Sequence, residues 1–433
     1  MKIIGIDVGT TTVCGAALDA DSGTLLRAIT LANDSTLPAR PFERLQDPRR
    51  IFEICKKLYG ALLAEFPDAA AVGLTGQMHG MLYLDGKGEP LSPLYTWQDE
   101  TGAQPGPDGK SMAARLTART GYPLASGYGL VTLACHQAAG TIPNGAAAVC
   151  TIADYLAMRL SGRSTPRLTP SMAASLGLFD GTDFDRKAVR RAGLPERLLP
   201  EVSEKAERTG GRLRVFAALG DNQASFLGAG QGRLDAPLVN IGTGSQFSFF
   251  TKERLTVPGL ETRPFPGGWL LTGAPLCGGR SFALLERFFR QTAELVTGTP
   301  CPSAYPAMLR ALEAPMPDDV PQFRTTFAGT RQDPAERAVL SGLDEENFAP
   351  VPLLHALLRG MADELSACYR AALKAGCAPA GRLLGSGNGL RRNPALQRAV
   401  ERSFGLPLTL AAVPEEAACG AALFARMQHE AAL

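Results

Sequence analysis

The sequence predicts an α/β chain built from two domains, and three observations carry that expectation. Strand-like and helix-like segments alternate along the whole length. At 433 residues the chain is too long for one compact core. A motif near the N-terminus also returns near the middle: "IGIDVGTTTV" (4–13) followed by "CGAALD", then "PLVNIGTGSQ" (237–246) followed by "FSFF". Ile6-Asp7-Val8-Gly9-Thr10 lies over Val239-Asn240-Ile241-Gly242-Thr243. Each copy reads as a β-hairpin whose tight turn carries Gly and hydroxyl residues. One such turn is common in any α/β protein. Two of them opening the two halves predict a duplicated domain, 1–230 and 236–433. The boundary falls in the Gly- and polar-rich stretch "GAGQGRLDAP" (228–237).

Composition narrows the function classes. Apolar residues make up 45% and charged residues 20%, ordinary values for a globular protein. The 44 Lys and Arg nearly balance the 42 Asp and Glu, leaving +2 with no basic block, which argues against nucleic acid or an anionic membrane as partner. Nine cysteines are scattered without a C-x-x-C pair, which suits a reducing cytoplasm rather than a disulfide framework. The opening "MKIIGIDVGTTT" has too short an apolar run for a signal peptide, and no run is long enough to span a bilayer.

In chain order, the first candidate is the N-terminal hairpin. There is no G-x-x-x-x-G-K-[ST] loop, and "GSGNG" (385–389) lacks the spacing of a dinucleotide fingerprint. The two Gly-Thr hairpins remain, because such turns expose backbone N–H groups and hydroxyls to phosphate oxygens. Asp7 just before the first turn is costly on an otherwise apolar strand unless used, for instance to hold Mg²⁺ through water. Next, "GLTGQMHGMLYLD" (73–85) sets Gln77, Met78 and His79 at a strand turn flanked by glycines, and "LYTWQDE" (94–100) sets Trp97, Gln98 and Asp99 at the end of another strand. Trp offers a flat face to sugar C–H bonds, and His, Gln and Asp offer hydroxyl partners. Singly, each is more often a packing or structural residue; a polar cluster at strand mouths points to a polyol site more than any one of them does. The softer "DETGAQPGPDGK" (99–110) reads as a surface loop. In "RVFAALGDNQASFLGAG" (214–230), Arg214 to Leu219 reads as a strand, Gly220 breaks it, and a helix follows, so Asp221 taken alone is a helix N-cap. The segment 296–335 is Pro-rich and irregular.

These motifs together resemble a carbohydrate kinase of the FGGY family, within the actin-like ATPase superfamily, from end to end of the chain. "GIDVGTTTV" resembles the first phosphate motif and "VNIGTGSQ" the second; "GSGNGLRRNPALQ" and "EEAACGAAL" resemble adenosine-side motifs; "GLTGQMHG", "TWQDE" and "ALGDNQAS" resemble sugar-side motifs. Each is weak alone, and their order along the chain makes them specific. The resemblance implies two ribonuclease-H-like domains flanking a catalytic cleft that receives a small-molecule sugar and MgATP. It implies Asp7 toward Mg²⁺, with Thr10, Thr11, Thr12, Gly242 and Thr243 toward the polyphosphate. Gly385, Gly387 and Asn388 would border the adenosine. Gln77, Met78, His79, Trp97, Asp99 and Asn222 would hold the sugar, and Asp221 would be the catalytic base, kept ionised by its helix N-terminus. "LCGGRSFALLERF" (276–288) resembles the segment backing the ATP phosphates, which adds Gly278 and Gly279.

Within the family, "GQMHG" resembles xylulokinases and sedoheptulokinases, and "CTIADYLAMRLSG", "SMAASLGLFD" and "LLGSGNGL" look most like the latter. Where many members carry an Arg shortly after Trp-x-Asp, this chain reads "WQDETGAQ". The implied reaction is ATP-dependent phosphorylation of a ketose at a primary hydroxyl: sedoheptulose first, D-xylulose as the alternative. A homodimer is left open. A non-catalytic, partner-binding member of the superfamily would share the phosphate hairpins but has no need of "GQMHG", "TWQD" or "GDNQ".

Overall fold

The structure is a computed structural model, and it describes residues 1–203, 207–208, 213–276, 278–330, 333 and 335–431. The chain forms two compact units, Met1–Gly232 with Val413–Leu433, and Arg233–Ala412.

The first unit is organised on its N-terminal strands: β1 (Lys2–Val8), β2 (Thr12–Asp19), β3 (Leu25–Ala32), β4 (Leu45–Gln46) and β5 (Ala71–Gly76). Ile3, Ile4, Ile6 and Val8 are all buried, so β1 is covered on both faces, as a central strand must be. It pairs antiparallel with β2 (Val8↔Val13) and parallel with β5 (Asp7↔Thr75). The sheet runs Glu207–Arg208, Arg214–Val215, β5, β1, β2, β3, with Leu219–Gly220 also parallel to β5. The expected strand over 214–219 is therefore two short strands. Between the pairs Val215↔Val72 and Leu219↔Thr75 one strand advances four residues and β5 only three, so one extra residue bulges out of the ladder.

The helix Glu416–Ala431 packs against β1, β5 and the helix Asp221–Ala229. Residues 413–433, expected in the second domain, thus belong to the first unit. The physical reason is a set of glycines. A Cβ on Gly5 would lie 1.8 Å from the Ala418 carbonyl oxygen, one on Gly73 1.9 Å from that of Ala421, and one on Gly420 1.8 Å from that of Ala224. Without side chains at these points the backbones come into direct contact.

The second unit carries a sheet in the order Glu261–Phe265, Gly268–Gly273, Ser245–Thr251, Leu238–Ile241, Leu383–Ser386, Leu408–Leu410. Leu238–Ile241 forms an antiparallel hairpin with Ser245–Thr251 and lies parallel to Leu383–Ser386 (Val239↔Gly385). The pattern of β1, β2 and β5 is repeated here. Phe247, Phe249 and Tyr369 pack at ring-centroid distances of 5.7 to 6.4 Å beneath this sheet, Tyr369 coming from the helix Pro350–Lys374. The stretch read as irregular holds the helix Tyr305–Ala311 and the strand Gln322–Arg324. Residues 331, 332 and 334 of that stretch, and Cys277, lie outside the described residues. The other eight cysteines are free thiols. Among the described residues no helix is long and apolar enough to cross a membrane.

Candidate active site

In the first unit the candidate residues gather where parallel strands end. β1, β5 and Leu219–Gly220 are parallel neighbours, and each runs directly into a candidate segment. β1 leads to the turn at Gly9, β5 to Gln77–His79, and Leu219–Gly220 to Asp221. Loops at the carboxyl ends of adjacent strands are where α/β sheets build ligand sites.

The turn 9–12 has a definite polarity. The Gly9 carbonyl accepts from Asn33 Nδ2 at 2.9 Å, the Thr10 carbonyl from Gln46 Nε2 at 2.8 Å, and the Thr11 carbonyl from the Asn33 N–H at 2.8 Å. The Thr12 carbonyl accepts from the Gly9 N–H at 2.9 Å. Four consecutive carbonyls are thus turned inward and engaged. The N–H groups of Thr10 and Thr11 make no backbone bond, and Thr11 and Thr12 are exposed. This is the arrangement an anion requires.

The second unit reaches the same polarity differently. Its turn carbonyls at Gly242, Thr243 and Gly244 accept from the N–H groups of Gly279 (2.8 Å), Arg280 (3.0 Å) and Gly242 (2.9 Å). Gly278 and Gly279, expected beside the phosphates, therefore stand behind the turn: a Cβ on Gly278 would lie 2.5 Å from the Gly244 backbone. Gly387 (φ +86°) and exposed Asn388 follow the strand parallel to this hairpin. Gly385 is buried within that strand, where a Cβ would press on Leu390 at 2.7 Å.

Asp7 is only partly buried by surface, yet its carboxyl lies deep among other atoms. Burial, then the neighbouring carboxylates of Asp221 and Glu415, push it up to about 7. Its β5 partner Thr75 has a buried hydroxyl with no hydrogen bond, as does the Gln77 Oε1 atom one turn on. Crowded carboxylates beside orphaned oxygens suit a hydrated divalent cation. Among the described residues no group of three or more His, Cys, Asp or Glu is arranged to hold a metal.

His79 is one of three non-glycine residues at positive φ among the described residues (+71°), and three contacts hold it there. Its N–H donates to Ser175 Oγ at 3.1 Å, its Nδ1 meets the Ser175 carbonyl at 2.8 Å, and its ring stacks on Tyr128 at 4.5 Å. A carbonyl only accepts, so Nδ1 carries a proton, and in the neutral ring Nε2 is the acceptor. Strained backbone locked by its surroundings is typical of functional positions. Trp97 is 47% exposed, and its indole N–H donates to Thr10 Oγ1 at 3.2 Å. Met78 is buried against Gly220, whose Cβ would meet its sulfur at 2.8 Å.

Asp99, expected on the sugar, is fully buried, and its oxygens accept the N–H groups of Arg44 (3.2 Å) and Thr101 (3.0 Å). It shapes the loop that presents Trp97. Asp221 is the first residue inside its helix rather than the cap, which is Gly220. Asp221 Oδ1 accepts the N–H of buried Asn222 at 2.6 Å, and the helix N-terminus favours its negative charge. Sequence reasoning missed Asn33, Gln46, Tyr128 and Ser175, whose contacts to the turns span 22 to 96 residues of sequence.

Residues 2–231 match the N-terminal domain of the FGGY family of carbohydrate kinases, and residues 238–429 match its C-terminal domain. Sedoheptulokinase from Mus musculus is 28% identical over 97% of this chain and 96% of its own length. Xylulose kinase from Streptomyces coelicolor is 25% identical over 97% of this chain and 86% of its own. The crystal structure of xylulose kinase from Rhodospirillum rubrum superposes with a TM-score of 0.82 at 22% identity, covering 99% of this chain and 90% of that one.

Proposed function

The chain belongs to the FGGY family of carbohydrate kinases, and on that premise we propose that it transfers the γ-phosphoryl group of ATP to a primary hydroxyl of sedoheptulose, giving sedoheptulose 7-phosphate. What carries the reading of the site is the meeting of three segments at neighbouring strand ends: the carbonyl-engaged turn, the locked His79 and Asp221. What favours this sugar is the 28% identity to sedoheptulokinase over nearly the whole of both chains. D-xylulose is the second reading, supported by the full-length similarity to xylulose kinase.

Phosphoryl transfer asks a protein for positioning and charge neutralisation more than for covalent chemistry. The sugar lies on the exposed face of Trp97, and His79 Nε2 accepts from one of its hydroxyls. Asp221 orients the reacting hydroxyl and takes its proton as the new O–P bond forms and the bond to the bridging oxygen breaks. The N–H groups of Thr10, Thr11 and Thr12 face the phosphate oxygens. Asp7 would hold Mg²⁺, which would supply neutralising charge when bound.

The test is an ADP-release assay with sedoheptulose, D-xylulose, L-ribulose, D-ribulose, gluconate and glycerol. The proposal expects the highest kcat/KM on sedoheptulose. A higher value on another of these sugars replaces the substrate, and no ADP with any of them removes the kinase reading of this site.

A further inference from the structure

We infer that Asn33 and Gln46 are positioning residues that aim the first phosphate turn, and that Gln46 sets the phosphate side and the sugar side with a single buried amide. The inference rests on the reading of that turn as a phosphate site.

A trans peptide is planar, so its C=O and the following N–H point in opposite directions. Whatever fixes the carbonyls of Gly9, Thr10 and Thr11 therefore fixes where the N–H groups of Thr10, Thr11 and Thr12 point. Asn33 and Gln46 supply all three of those carbonyl donors, and both residues are buried, at 7% and 2% exposure. Asn33 is itself held, its Oδ1 accepting from buried Ser35 Oγ at 2.6 Å. In the second unit the equivalent donors are backbone N–H groups from Gly279 and Arg280. In the first turn only the donor to Thr11 is a backbone N–H, that of Asn33, and two side-chain amides hold Gly9 and Thr10.

Gln46 does more. Its Nε2 donates to the Thr10 carbonyl, while its Oε1 accepts from Gln77 Nε2 at 2.9 Å. Gln77 stands two residues before His79 and bonds through its N–H to the Val8 carbonyl at 2.9 Å. An amide has one acceptor end and one donor end, so Gln46 can satisfy both neighbours in only one orientation. Rotating or removing it disturbs the turn and the sugar-side segment together.

The two ends can be cut separately. Gln46→Glu keeps the acceptor for Gln77 but sets a carboxylate oxygen against the Thr10 carbonyl. Asn33→Asp does the same at Gly9 while keeping an acceptor for Ser35. Gln46→Met, uncharged and of similar length, cuts both bonds. Calorimetric titration with MgATP, with AMP as control, reads the turn without needing any sugar; the melting midpoint reads the fold. The expected result is about 10-fold weaker MgATP binding in Gln46→Glu and Asn33→Asp, with AMP binding unchanged. Gln46→Met is expected to add a rise in the KM of the sugar, which Gln46→Glu does not. Thr11→Glu, which puts a negative charge at the exposed tip, separates the two readings. If Thr11→Glu weakens MgATP and the Asn33 and Gln46 variants bind it as the wild type does, the positioning role is wrong and the phosphate turn stands. If none of them weakens it, both are wrong.

Discussion

Asp221 occupies the first position of its helix, and that position gives it two properties a base needs here. The helix N-terminus favours its charge, and Gly220 before it, with no side chain, lets Met78 pack against the turn so that the carboxylate is carried on a rigid joint. Asp221→Asn keeps the shape and removes the proton acceptor, so the proposed mechanism expects turnover to fall on the order of 10³-fold while MgATP binding is retained. Single-turnover measurement of phosphorylated sugar, beside a titration with MgATP, checks it; near-normal turnover would return Asp221 to a purely structural role. Much of this was legible in "LGDNQAS", where the strand end, the breaking glycine and the acid are adjacent in sequence. The burial of Asp99 was not legible: one of its two bonds to backbone N–H groups comes from Arg44, 55 residues away, and no local pattern reports such a partner. Asn33 and Gln46 left no signal, because a single buried amide beside a strand end or in a two-residue strand has no periodicity to betray it.

At the scale of elements, both hairpins were readable because apolar runs and turn residues are local features, and both form with the expected antiparallel pairing. The bulge between Val215 and Leu219 was not, since it is defined only against β5. Nor was the seat of the helix Glu416–Ala431. Its small residues look like ordinary helix formers, and their meaning comes from the glycines they face. Two glycines in helices test this with opposite signs. At Gly420 a methyl group would meet the Ala224 carbonyl at 1.8 Å, whereas at exposed Gly60, inside the helix Pro48–Glu65, nothing lies within 4 Å. Gly420→Ala should cost about 1–3 kcal/mol by overpacking. Gly60→Ala should contribute about 0.5–1 kcal/mol, because alanine is the better helix former. Thermal unfolding of the two variants beside the wild type gives the comparison. A neutral Gly420→Ala would mean the helix is not held by backbone contact.

The whole molecule repeats one device, a hairpin with a parallel strand beside it, once in each unit. The repeat was visible from the two Gly-Thr turns, but the boundary drawn from it was simpler than the chain's path. The first unit is completed by residues from the far end of the sequence. That closing segment buries Leu423 and Phe424, worth about 2 kcal/mol each in apolar surface removed from water, and covers β1 and β5 on the face where Gly5 and Gly73 leave no side chains. A stretch comprising only residues 1–232 would expose that face, a large apolar patch of the kind that drives aggregation. We therefore expect 1–232 alone to be insoluble or to bind a hydrophobic dye. The same residues joined by a flexible linker to 413–433 should be soluble and unfold cooperatively. Circular dichroism, with urea titration of both, distinguishes the cases. If 1–232 alone unfolds as cooperatively as the linked form, the closing helix is an accessory to this unit rather than part of its core.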